Sequence, residues 1–84
     1  MPELTEKISG LVETVVRPLL DFQDDFQISA YEDEGNTIVV ELRVNEADAG
    51  KVIGRQGRVI KAVRTIARAA ASQEDAHVEV ELID

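Results

Sequence analysis

The chain has 84 residues, nine basic and seventeen acidic side chains, one histidine, no cysteine and a formal net charge of −8. That length holds one domain, expected over residues 1–84, with a modest core. Missing cysteine excludes disulfides, thiolate nucleophiles and cysteine-ligated metals. Neither a signal peptide nor an apolar run near the ~18 residues of a membrane span is visible, so a soluble cytoplasmic protein without a membrane partner is expected.

The charge is segregated. From Ala49 to Gln73 there are six basic residues (Lys51, Arg55, Arg58, Lys61, Arg64, Arg68) and no acidic one, whereas the remainder carries three basic and seventeen acidic residues. Local potential decides where a phosphate docks, and net charge sets solubility and long-range steering.

In chain order, Leu4, Ile8, Leu11, Val12, Val15, Val16, Leu19 and Leu20 recur at helical steps, which predicts an amphipathic helix over 3–20. Pro2 suits its start and Pro18 kinks or ends it. Residues 21–25 read as a loop. Phe26, Ile28 and Ala30 alternate with polar residues as in a strand, Glu32 to Asn36 signals a turn, and Thr37 to Val44 forms a second strand with Ile38, Val40, Leu42 and Val44 on one face. These two make an antiparallel hairpin with an acidic tip. Asn45 is a good N-cap with Asp48 in a capping-box position, which predicts a short helix over 46–53. A longer helix is predicted over 57–72, with Val59, Ile60, Val63, Ile66, Ala67 and Ala70 on its core face and Arg58, Lys61, Arg64 and Arg68 on another arc. Val78, Val80 and Leu82 alternate in a last strand. The order α-β-β-α-α-β predicts an α+β fold, a three-stranded sheet with three helices on one face.

Gly54 and Gly57, three apart, separate the two later helices. Glycine permits positive φ and close approach of the backbone to a sugar-phosphate chain. The N-terminus of the next helix presents unpaired N–H groups and partial positive charge to a phosphate. Arg55 and Gln56 sit at the tip, Arg58 and Lys61 one turn on at a second phosphate, and Lys51 and Arg64 flank them. Ile53, with Val52, Ile60 and strand residues such as Val39, would floor a groove for unstacked bases.

The run V-I-G-R-Q-G-R-V-I-K-A-V-R, Val52 to Arg64, resembles the signature V-I-G-x-x-G-x-x-I of KH domains, and the element order resembles their type II form. Over nearly the whole chain the sequence resembles the KhpA (YlqC) family of bacterial stand-alone KH proteins, with Asp48 to Arg58 reading like that family's central motif. The resemblance implies that Gly54, Arg55, Gln56 and Gly57 contact the backbone of single-stranded RNA. It also implies homodimers or heterodimers with a larger KhpB (Jag)-type KH protein, and RNA-chaperone or post-transcriptional roles linked to cell elongation and division.

Other readings stand beside this one. The glycines also suit a plain tight turn, and a basic arc also suits a solvated face. Gly50-x-x-x-Gly54 lacks the Gly-Lys-Ser/Thr ending of a nucleotide-binding loop. His77 alone is a surface residue rather than a metal ligand. Arg43 reads equally as a groove residue or a cross-strand partner. No nucleophile–base pair is present, so neither an enzyme, a cofactor nor a small-molecule substrate is expected. A protein-interaction subunit acting through a larger KH partner is the alternative function, and duplex DNA recognition by a helix–turn–helix unit ranks below it.

Overall fold

The apolar residues at four-residue steps in the N-terminal segment place one stripe of a helix against a sheet. The computed structural model describes residues 2–83. Helix α1 (Pro2–Val16) buries Leu4, Ile8, Val12 and Val16, while Leu11 and Val15 are half-buried at the margin of that stripe. It ends earlier than the periodicity predicts. Pro18 lies in a 3₁₀ turn, Arg17–Leu19, which exposes Leu19 and turns Leu20 back into the core. A second 3₁₀ turn, Gln23–Asp25, leads to buried Phe26, over whose ring the Arg17 guanidinium sits 5.0 Å from the centroid.

Strand β1 (Gln27–Asp33) pairs antiparallel with β2 (Thr37–Arg43), from Gln27 opposite Arg43 to Asp33 opposite Thr37. β1 therefore runs further into the expected turn than the sequence suggested, and the tip is formed by Gly35 (φ 72°) and Asn36 (φ 63°). β2 is the central strand. Strand β3 (His77–Leu82) lies parallel to it on the other side, Val40 opposite Val80, so the sheet order is β1-β2-β3. A parallel pair needs a long crossover, and helices α2 (Ala49–Ile53) and α3 (Arg58–Ser72) supply it. Asn36 secures the far end of that crossover: its carbonyl accepts from His77 N–H at 3.0 Å and its Nδ2 donates to the Asp75 carbonyl at 3.4 Å.

The core lies between the sheet and the helices. Ile38, Val40 and Leu42 of β2 and Val78 and Val80 of β3 pack with the α1 stripe and with Val52, Ile60, Val63, Ala67 and Ala71. Ile66 departs from the expected core face of α3. It is 43% exposed, and Ala71 takes the fourth buried position instead. The helix is rotated so that the small side chains of Ala67 and Ala71 meet the layer below. Val39, expected to help floor a groove beside the turn, belongs to the face of the sheet opposite the helices. It is buried there outside the main core, between Tyr31 and Glu79 on neighbouring strands. Arg43 shares that outward face by strand alternation.

Candidate nucleic-acid interface

The Gly54–Gly57 turn is positioned by the segment before it. Asn45 caps that segment as its sequence predicts, its Oδ1 accepting from Ala47 N–H at 2.9 Å, and a 3₁₀ turn (Glu46–Asp48) runs into α2. The first of the two expected turns is thus 3₁₀ rather than α. Asp48 does not close a capping box. Its fully buried carboxylate accepts instead from the backbone N–H groups of Asp21 (3.0 Å) and Phe22 (2.9 Å), binding the α1–β1 loop to the start of α2. Lys51 contacts the same carboxylate at 3.4 Å and forms an ion pair with Asp21. Burial alone would raise the Asp48 pKa. The two backbone donors and the Lys51 ammonium outweigh it and hold the carboxyl below its usual range. The hydrogen bond to Asp21 likewise lifts Lys51 above its usual value, against the opposing effect of desolvation.

The turn itself uses positive φ three times: Gly54 (φ 78°, ψ 171°), Gln56 (φ 57°, ψ 25°) and Gly57 (φ 75°, ψ 15°). Gly54 N–H closes α2 on the Gly50 carbonyl at 2.8 Å, and Gly57 N–H returns to the Gly54 carbonyl at 3.1 Å. The glycines have different reasons to be there. A Cβ on Gly54 would lie 2.4 Å from Val59 Cγ2 and 2.8 Å from Val59 N, so that close approach is internal. A Cβ on Gly57 meets only Lys61 Cε, at 3.8 Å, and its surface is open to a ligand. Gln56 holds a left-handed φ without being glycine, a conformation of modest strain that is concentrated at functional turns.

Arg55 and Gln56 are exposed at the tip, and Arg58 follows, its Nη2 3.3 Å from Gln56 Oε1. α3 starts at Arg58 without a side-chain cap and without an acidic residue in its first turn. The Gly57 and Arg58 N–H groups already donate to the Gly54 and Arg55 carbonyls, so the partial positive charge of this helix N-terminus rests on the N–H groups that follow, beside Arg58 and Lys61. Ile53 is 42% exposed next to the turn, whereas Val52 and Ile60 are buried in the core and offer no groove floor.

The two flanking cations differ from these. Lys51 is held by Asp21 and Asp48. Arg64 is half-buried, and its Nε donates to the Val80 carbonyl at 3.1 Å. His77 N–H donates to Asn36, just before β2, and Ile83 N–H to Leu42 of β2, so alternation aims the Val80 carbonyl at the open sheet edge, and Arg64 caps that edge. Sequence reasoning missed Asp21, because it meets Lys51 thirty positions away with no local signal. Among the described residues no group of His, Asp or Glu side chains is arranged to hold a metal ion, and no helix is long and apolar enough to cross a membrane.

The KhpA/KhpB KH-domain family model matches residues 9–82. The chain is 47% identical over 73 residues to the RNA-binding protein KhpA of Clostridium acetobutylicum, covering 87% of this chain and 96% of that one. It is 40% identical over 74 residues to the RNA-binding protein KhpA of Borreliella burgdorferi, covering 88% and 89%. Among solved structures, a point variant of Aquifex aeolicus Era bound to GDP.AlF4- matches with a TM-score of 0.59 at 16% identity, over 95% of this chain and 32% of that one, a likeness of fold. With most of its length matched by the family model and by these relatives, the chain belongs to the KhpA/KhpB family of KH domains.

Proposed function

We propose that this chain is a single, non-catalytic KH domain that clamps about four nucleotides of single-stranded RNA in the cytoplasm. The observation that carries the reading is the Gly54–Gly57 turn, which presents exposed Arg55 and Gln56 immediately before the N-terminus of α3, where no side chain caps the helix, in a stretch free of acidic residues. Gly54, Arg55, Gln56 and Gly57 hold the RNA backbone, Arg58 and Lys61 take the next phosphate, and Ile53 supports a base. Lys51 and Arg64 stand at the margins of the clamp, each already engaged within the protein. Relatives named RNA-binding protein KhpA support RNA as the ligand.

Fluorescence anisotropy with short single-stranded RNAs tests the clamp, comparing wild type with Arg55→Asp/Gln56→Asp. Aspartate tolerates the left-handed backbone at position 56, so the variant is expected to fold, which circular dichroism checks. Binding by wild type and not by the folded variant is the expected result. Equal binding by both sinks the reading. Three or four phosphate contacts give log K against log salt a slope of about −2 to −3.

One such site binds weakly, and a second KH domain raises affinity through effective concentration. Exposed Ile66 on α3 favours a protein contact, with a second copy or a KhpB-type protein, and through it a part in RNA-chaperone and post-transcriptional work tied to cell elongation and division. Light scattering with Ile66→Glu tests self-association: a dimer lost in the variant supports it, and a wild-type monomer at all concentrations refutes it. Retention of a KhpB-type partner after ribonuclease treatment is the test of the heterodimer.

A further inference from the structure

The basic stretch around the turn is not uniformly available to an anion. Lys51 lies on α2 one helical turn before Gly54, where a ligand leaving the turn on that side would pass. Its ammonium is paired with Asp21, and the pairing has a built cause. The buried Asp48 carboxylate binds the backbone N–H groups of Asp21 and Phe22, which fixes the α1–β1 loop against α2 whatever side chain Asp21 carries. The Asp21 side chain itself is 71% exposed, and Lys51 is its ion-pair partner. Asp24 and Asp25 line the same shallow surface hollow as Asp21, Phe22 and Gln23, so the loop brings further negative charge to this side.

We propose that Asp21 is a resident competitor for phosphate: it occupies Lys51 and closes the α2 side of the clamp, so RNA engages the turn and α3 alone. The inference rests on the RNA-binding reading and adds a residue that limits how many phosphates the site takes. Removing the Asp21 charge leaves Lys51 with only the 3.4 Å contact to Asp48, a carboxylate already bound by two backbone donors. Lys51 then becomes free to bind one more phosphate. An exposed ion pair is a weak competitor, so the gain is small and measurable.

The test is an anisotropy titration of one single-stranded RNA, at several salt concentrations, against wild type and three variants. Asp21→Asn is expected to bind about two- to fivefold more tightly at low salt, with a salt slope steeper by about 0.7 from one added phosphate contact. Asp24→Asn makes the same change of net charge in the same loop and is expected to gain less, with an unchanged slope. Asp21→Asn/Lys51→Gln is expected to lose the gain. The proposal is overturned by an Asp21→Asn protein that binds like wild type, by an equal gain and slope change in Asp24→Asn, or by a gain that survives Lys51→Gln. Those results leave wild-type RNA binding intact. Absence of binding by every protein, wild type included, overturns the RNA reading and this proposal with it.

Discussion

Substituting alanine at Gly54 and at Gly57 separates two jobs that the sequence shows as one repeated residue. At Gly54 the combination φ 78°, ψ 171° belongs to a region nearly closed to L-residues, worth about 1–3 kcal/mol of strain. The added methyl would also lie 2.4 Å from Val59 Cγ2 and 2.8 Å from both Val59 Cβ and Val59 N, an overpacking of about 1–3 kcal/mol more. Together these reach roughly 2–6 kcal/mol, against roughly 4–13 kcal/mol for a whole domain of this length. At Gly57 the backbone is ordinary left-handed helix and the methyl has room, so the loss is about 1–2 kcal/mol. Urea denaturation followed by circular dichroism measures both. Gly54→Ala should lose clearly more stability than Gly57→Ala. Adding Val59→Ala to Gly54→Ala should restore part of the loss only, because the contacts with Val59 Cβ and N remain. Equal loss at the two glycines, or full rescue by Val59→Ala, would refute the reasoning.

Three further outcomes follow from the packing and charges. Ile60→Ala, on the buried side of α3, should lose about 2–5 kcal/mol, whereas Ile66→Ala should stay within about 0.5 kcal/mol in the monomer; comparable losses by denaturation would contradict the observed rotation of the helix. Asp48 has a lowered pKa, so the stability it contributes is present above the ordinary carboxylate value and disappears as pH falls through its folded value. The melting temperature of Asp48→Ala should fall below wild type by on the order of 10 °C at pH 7, with the gap narrowing as pH falls below the ordinary carboxylate range, and a pH-independent gap would argue against the charge. Tyr31 is the single tyrosine, which makes its titration directly visible in ultraviolet absorbance. Glu41 foremost, then slight burial and the carboxylates of Asp33, Glu81 and Glu79, raises its pKa; the folded midpoint should exceed that in urea and move down in Glu41→Gln, and a midpoint equal to the unfolded one would sink the arrangement.

Much of the fold was legible because binary patterning and punctuation agreed. Four-residue apolar steps in α1, two-residue alternation in the strands, Pro18 and the Asn45 cap each leave a local mark. What escaped was set by tertiary geometry. Ile66 lies on the same predicted arc as Ile60, and only the seating of Ala67 and Ala71 against the sheet decides which isoleucine is covered. Val39 alternates out of phase with Ile38 and Val40, so the strand period already assigned it to the far face, against its expected place in a groove floor. Asp48 carried an N-terminal helix pattern, but two backbone N–H groups from a distant loop outcompeted the local cap.

The charge pattern was legible in the same partial way. From Ala49 to Gln73 the sequence shows six cations and no acidic residue, which suggests a continuous basic stretch, yet a salt bridge needs proximity in space only. Lys51 finds Asp21 across the α1–β1 loop, and Arg64 finds a carbonyl at the sheet edge. The tip and first turn of α3, with Arg55, Gln56, Arg58 and Lys61 exposed and no acidic residue in that helix turn, keep their charge directed outward. An acidic chain can therefore present a small cationic site with defined edges. Repulsion from the remaining surface reduces indiscriminate binding, and the loop carboxylate of Asp21 sets where the site stops on the α2 side.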